Sequence, residues 1–301
     1  MFNKKETVCF LGDSITYNGK YIKEIFEFLA TNHKADRIKL FNCGVSGDRA
    51  SRALERLYSD CLVFNPDTVV VALGVNDIER TLYYPCDEDK SSEKEKYKAI
   101  YKKSIRELIQ KITEFGAKVV LCTPVPTYES KAKEVGCNIT LREFSEFLKK
   151  VSKDEGFTLI DYFENMLLHC EEDIFEDDAL HPNDKGQHLM AQIALKELGY
   201  TEKIDICKMP EWSEKNEKRF LAEQNLRKVM YYEWGALYEE NISNPDITYL
   251  EKKEIARQKR QDGINCSVNW FVDVSDVYLK YCERKEYLVK ELLEKTIEMY
   301  K

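Results

Sequence analysis

Two clusters far apart in the chain carry side chains able to move a proton and attack an electrophilic carbon. Gly12-Asp13-Ser14-Ile15-Thr16 offers a hydroxyl at Ser14; Asp178-Ala179-Leu180-His181-Pro182 offers a carboxylate and an imidazole three residues apart. Acyl transfer needs a nucleophile, a base, an orienting acid and donors for an oxyanion. Ser14 suits the first role because it follows the apolar run Val8-Cys9-Phe10-Leu11 at a strand-to-helix turn, where a hydroxyl can face a cleft. His181 can take its proton, and Asp178 can reach the second ring nitrogen and hold the tautomer. Two further segments, Asn42-Cys43-Gly44-Val45-Ser46-Gly47-Asp48 and Gly74-Val75-Asn76-Asp77, supply candidate donors. These are the N–H of Gly47 and the side-chain amide of Asn76, beside the N–H of Ser14 itself. Gly44 and Gly47 let backbone come close to a substrate.

These segments need elements to bring them together. Up to about residue 200, β-branched runs at 7–11, 38–42, 68–73, 118–123 and 157–161 alternate with helical stretches at 20–32, 49–62, 94–115, 139–154 and 184–198. In the first helix Ile22, Ile25, Phe26 and Leu29 recur on one face. Val69-Val70-Val71-Ala72-Leu73 is apolar throughout, as suits a strand covered on both sides. Such alternation predicts a parallel sheet between helical layers, with right-handed crossovers. In the strand order 2-1-3-4-5, ligands bind at the carboxyl ends of the strands. The loops after the first three strands then converge on one spot.

These four blocks, in this order, resemble the GDSL family, also called the SGNH hydrolases. The resemblance covers roughly residues 6–200. It implies a three-layer α/β/α flavodoxin-like sandwich with a parallel five-stranded sheet. It also implies hydrolysis of carboxylic esters with no metal and no other cofactor. By matching motif positions it makes Ser14 the nucleophile, Asp178 and His181 its triad partners, and Gly47 and Asn76 the rest of the oxyanion hole. Asp13, Gly44 and Asp77 fall in supporting positions of the same blocks. Intracellular members that deacetylate carbohydrates are most similar in size and block spacing. The expectation is therefore a serine esterase for small acyl groups, acetyl in first place, on a carbohydrate alcohol. A lysophospholipase or thioesterase is the alternative within the family, and a binding or assembly protein with an idle hydrolase site the alternative outside it.

Composition narrows the partners. The chain has 301 residues, 43% hydrophobic and 33% charged, with a net charge of −8. No Lys/Arg cluster is free of neighbouring acids, which argues against nucleic acid and against an anionic membrane surface. No stretch approaches the roughly 18 apolar residues of a membrane span. The apolar run near Met1 is too short for a signal peptide, so a cytoplasmic location is expected. The ten cysteines are scattered, with no Cys-x-x-Cys pair, and are expected to be reduced. No Cys or His pair has ligand spacing, so no metal is expected.

Each motif also has a plainer reading. Asp13 or Ser14 could merely cap a helix, and Gly74 to Asp77 could be an ordinary loop. His188 reads as a packed or solvated histidine, His33 as a helix-end residue, and His169 beside Cys170 as no nucleophile pair. Cys43 reads as a small buried side chain. Tyr83 and Tyr84 suit either a substrate pocket or loop packing. Beyond about residue 205 the strand pattern stops. Helices are expected at 213–242, 247–261, 267–282 and 284–299, dividing the chain into an α/β domain at 1–204 and a C-terminal α-helical extension at 205–301. The aromatic residues Tyr231, Tyr232, Trp234 and Tyr238 read as helix packing. The wide apolar stripes of these helices suggest a homo-oligomer interface or a roof over the cleft.

Overall fold

The structure is a computed structural model that describes residues 1–3, 5–32 and 38–200, together with Lys218 and Phe220. The chain divides into two compact units, Met1–Leu54 with Pro66–Trp212, and Glu55–Asn65 with Ser213–Lys301. In the second unit the described residues form a short helix, Leu57–Asp60, and a 3-10 turn, Leu62–Phe64, with Arg56 paired to Asp60 at 3.3 Å. Lys218 and Phe220 are helical. The other residues expected in the C-terminal helices, the aromatic residues 231–238 and His33 lie outside the described residues.

In the first unit five strands, β1 (Thr7–Gly12), β2 (Lys39–Gly44), β3 (Thr68–Ala72), β4 (Lys118–Cys122) and β5 (Thr158–Ile160), form one sheet. Its order is β2-β1-β3-β4-β5 and all pairs are parallel. β1 and β3 are almost wholly buried, which explains their unbroken apolar sequences. The main helices are α1 (Ser14–Asn18), α2 (Lys20–Asn32), α3 (Ala50–Glu55), then, after the Leu57–Asp60 helix α4, α5 (Ser91–Phe115), α6 (Cys137–Glu155), α7 (Tyr162–Leu167) and α8 (Asp184–Glu197).

The order of the strands dictates the layers. The chain moves from β1 to β2 in one direction across the sheet and from β3 through β4 to β5 in the other. Crossovers of one hand then place α2 on one face and α5 and α6 on the opposite face. The packing agrees: α8 lies against α2, and α5 against α6. Ile22, Ile25, Phe26 and Leu29 of α2 are all fully buried, as their spacing requires. Between α5 and α6 the rings of Tyr101 and Phe144 stack at 3.9 Å. Between α2 and α8 a buried polar set adds direction: His188 Nδ1 meets Glu24 Oε2 at 2.6 Å, and Gln192 Nε2 meets His188 Nε2 at 2.6 Å. His188 is thus a packed residue, far from solvent chemistry.

One expected element differs. The helix expected at 49–62 is instead α3 and α4, interrupted at Arg56, whose φ of −98° and ψ of 4° leave the helical region. No helix among the described residues is long and apolar enough to cross a membrane.

Candidate active site

The ends of three strands lie level. Gly12 of β1 pairs with Gly44 of β2 on one side and with Ala72 of β3 on the other. The three loops that follow therefore start side by side. Gly44 must be glycine for steric reasons: a Cβ there would sit 2.2 Å from Tyr17 N and 2.6 Å from the Thr16 carbonyl carbon. That close approach lets β2 pack directly against α1, which carries Ser14 in its first turn.

Asp13 caps α1, its Oδ1 accepting the Ile15 N–H at 3.0 Å. The capping reading of Asp13 is correct, and it leaves the next residue, Ser14, half-buried with its hydroxyl free to face outward. Ser14 Oγ lies 2.8 Å from His181 Nε2, across 167 residues of chain. His181 Nδ1 lies 2.5 Å from Asp178 Oδ2. The structure thus joins Ser14, His181 and Asp178 in one line of hydrogen bonds. The carboxylate of Asp178 also accepts, through Oδ1, the N–H groups of Leu180 and His181, each at 2.9 Å. This turn forces Ala179 to a φ of 57°, the left-handed region. Partial burial opposes the charge on Asp178, but the hydrogen bonds from His181 and from the two backbone N–H groups hold its carboxyl below the usual range.

The segment bearing His181 is pinned at both ends. Glu176 N–H donates to the His181 carbonyl at 2.8 Å, and Tyr128 N–H, in the loop after β4, donates to the Ala179 carbonyl at 2.8 Å. Asn183 caps α8 by accepting from Lys185 N and Gly186 N at 3.0 and 3.1 Å. Its amide also donates back to the carbonyls of Asp173 and Phe175, at 2.8 and 3.2 Å. The sequence motifs do not mark Asn183 as part of the site, although an Asn directly before Asp-Lys-Gly is a readable helix start.

The candidate donors Gly47 and Asn76 lie in the loops after β2 and β3. Asp48 N–H closes a turn onto the Val45 carbonyl at 3.1 Å. The third residue of that turn, Gly47, has a φ of 71° and is exposed. Asn76 Nδ2 donates to the Asp48 carbonyl at 3.0 Å, so the amide of Asn76 stands one residue from Gly47. An amide nitrogen carries two hydrogens, and no partner for the second is found among the described residues. Arg49 and Glu79 join the same two loops at 2.6 Å.

Beneath this surface lie three buried carboxyl groups, Asp13, Asp48 and Asp77. Burial pushes Asp13 up to about 7 against the pull of the Ile15 N–H, with Asp48 adding to the rise. Burial likewise pushes Asp77 up to about 8 although the Ala50 N–H donates to it, and Asp48 and Asp13 add to the effect. Nothing in the sequence marks Asp48 for burial, where it is one more acid between Gly47 and Arg49.

Other candidates lie elsewhere. Tyr83 is buried, its hydroxyl 2.6 Å from Thr140 Oγ1, whereas Tyr84 is exposed. Cys43 is buried. His169 pairs at the surface with Glu172, at 2.8 Å.

Comparison with known proteins bears on the family and the fold. The model of the GDSL-like lipase/acylhydrolase family matches residues 10–189. An acetylxylan esterase of Xylanibacter ruminicola is 30% identical over 146 residues, which is 46% of this chain and 30% of that protein's length. An acetylxylan esterase of Geobacillus stearothermophilus is 22% identical over 213 residues, 65% of this chain and 94% of that protein. Among solved structures, a gut microbial diltiazem-metabolizing enzyme aligns with a TM-score of 0.65 at 16% identity, over 98% of this chain and 96% of the other. A mutant of an acetyl-xylooligosaccharide esterase from Geobacillus aligns at 0.57 and 21% identity, over 69% and 99%. At these identities the structural likenesses speak to the fold. The family match spans well over half of the chain and includes Ser14, Gly47, Asn76, Asp178 and His181, and by it the chain belongs to the GDSL-like lipase/acylhydrolase family of ester hydrolases.

Proposed function

We propose that the chain hydrolyses small acyl esters of carbohydrates, acetyl esters first, through an acyl-serine intermediate. The observation that carries this reading is the unbroken line Ser14 Oγ, His181 Nε2, His181 Nδ1, Asp178 Oδ2. In the first half-reaction His181 takes the Ser14 proton while Oγ bonds to the ester carbon. The carbonyl oxygen becomes an oxyanion facing the Asn76 amide and the N–H groups of Gly47 and Ser14. His181 then gives its proton to the departing sugar oxygen, and the C–O bond breaks. In the second half-reaction His181 takes a proton from water, hydroxide adds to the acyl carbon, and the proton returns to Ser14 as the carboxylic acid leaves. Asp178 stays ionised throughout and steadies the imidazolium.

Two observations support a small acyl group on a polar alcohol. The side chains of His181 and Asp178 are 37% and 48% exposed, so the reacting groups stand at an open rim. Two acetylxylan esterases are also among the relatives. A series of p-nitrophenyl esters of increasing chain length tests the acyl preference. Acetate is expected to be the best substrate, with Ser14→Ala lowering kcat by about 10⁴-fold or more. Acetylated xylo-oligosaccharides then test the alcohol. An optimum at eight or more carbons would move the assignment to a lysophospholipase or thioesterase. A protein that neither turns over esters nor labels at Ser14 with a fluorophosphonate would carry an idle site.

A further inference from the structure

We propose that Asp77 is a positioning residue for the oxyanion donors, and that it works as a neutral, protonated carboxyl that ties the loop after β3 to the start of α3. The inference rests on the esterase reading above and deepens it. Asp77 Oδ1 accepts the Ala50 N–H at 2.9 Å, and Asp77 N–H donates to the Gly74 carbonyl at 3.1 Å. Its neighbour Asn76 donates in the opposite sense, to the Asp48 carbonyl. The two adjacent residues thus grip one short segment, 48–50, immediately after Gly47. If either grip slackens, Gly47 and Asn76 lose their mutual alignment, and a shift of about 1 Å in such groups can cost roughly 10²-fold in rate.

The protonation state follows from what surrounds the second oxygen. Asp77 is 3% exposed, and its Oδ2 is buried with no hydrogen-bond partner among the described residues. A bare ionised oxygen in that position is far more costly than a neutral O–H. The groups facing it reinforce the choice. They are the carboxyl of Asp13 from the turn after β1, that of Asp48 after β2, and the hydroxyl of Tyr101 from α5, which donates to the Leu73 carbonyl at 3.3 Å. Among the described residues the cation that lowers it is Arg49, which is engaged by Glu79 at 2.6 Å.

The two substitutions that separate positioning from bulk are Asp77→Asn and Asp77→Ala. Asn is neutral and of the same shape, and its oxygen still accepts from Ala50; Ala accepts nothing. Asp77→Ala is expected to lower kcat roughly 10- to 100-fold with little change in KM, and Asp77→Asn to recover most of that loss. Wild-type kcat is expected to fall as pH passes about 8, where Asp77 loses its proton, while the plateau of Asp77→Asn extends at least about one pH unit further. Thermal melting supplies a readout independent of activity. The folded-state value lies above the unfolded value of about 4, so the wild type loses stability relative to Asp77→Asn as pH rises from about 4 towards 8. If Asp77→Ala does not fold, the melting and rate profiles of Asp77→Asn still decide. An Asp77→Asn protein as slow as Asp77→Ala, or a melting difference flat across that range, overturns the proposal. So does an Asp77→Ala protein with wild-type kcat. Wild-type activity toward p-nitrophenyl acetate, with Ser14→Ala as control, is measured alongside. Its absence would sink the esterase reading, and the melting profile would still judge the proton.

Discussion

The two walls of the site are both acidic, yet burial gives their carboxyl groups opposite characters. On the sheet side Asp13, Asp48 and Asp77 are 3%, 2% and 3% exposed, and Asp13 and Asp77 are pushed towards their neutral forms. On the far side the Asp178 side chain is 48% exposed, accepts three hydrogen bonds and is held ionised. The same residue type thus serves as a scaffold in one wall and as a charge in the other, and the surroundings decide which. In the proposed mechanism an imidazolium forms at His181, and a charge beside it would steady that cation. If the loops after β2 and β3 hold the oxyanion as proposed, a charge beneath them would oppose that negative oxygen.

The sharpest way to break this comparison is to neutralise the acid that is meant to be charged. Asp178→Asn keeps an oxygen and a similar shape but cannot be an anion beside the imidazole and favours the wrong tautomer. A fall in kcat of about 10⁴-fold is expected, with melting temperature little changed, because the group lies near the surface. A fall of less than about tenfold would mean that His181 is oriented by its backbone pins alone. The next effect in size is Asn76→Ala, which removes one donor from the other wall. It is expected to lower kcat by about 10²–10³-fold. Because Asn76 also bonds the Asp48 carbonyl, some of that loss is positional; steady-state kinetics of Asn76→Ala, Asp77→Ala and the double variant measure the share, since coupled residues lose less together than the product of their separate losses.

Much of the scaffold is legible in the residues themselves. Ile22, Ile25, Phe26 and Leu29 mark the buried face of α2, and the apolar run at 69–73 marks a central strand. From the order of strands alone, the loops after Gly12, Gly44 and Ala72 have to meet, and they do. The pairing of Ser14 with His181 is legible because chemistry limits what a hydroxyl and an imidazole at such loops could do together. What is not legible depends on the depth of individual side chains. Nothing local distinguishes Asp48, 2% exposed, from Asp178, for each sits in a polar loop. Asp48 stands beside Asp13 and Asp77, from the loops after β1 and β3, which are remote in sequence. The interruption at Arg56 escapes the apolar pattern for a similar reason, since the periodicity of 49–62 runs on through a residue whose backbone leaves the helix. The short helix α7, opened by Asp161 accepting from Glu164 N, has too few residues to show a period at all.

The smallest expected effect separates the stability of the far wall from its precision. Asn183 does two jobs with one amide: its oxygen caps α8, and its nitrogen ties the segment 173–183 to itself through the carbonyls of Asp173 and Phe175. Asn183→Ala loses both and is expected to destabilise the fold by about 1 kcal/mol as well as slow turnover. Asn183→Asp keeps the cap and adds a negative charge at a helix N-terminus, which is favourable there. It has no hydrogen to offer the two carbonyls, so the ends of the segment loosen. A melting temperature near that of the wild type is expected, together with a kcat reduced about fivefold, the equivalent of roughly one hydrogen bond. If Asn183→Asp instead turns over at the wild-type rate, the bonds through Glu176 and Tyr128 are enough to hold His181 in line with Ser14, and the far wall is stiffer than its exposure suggests.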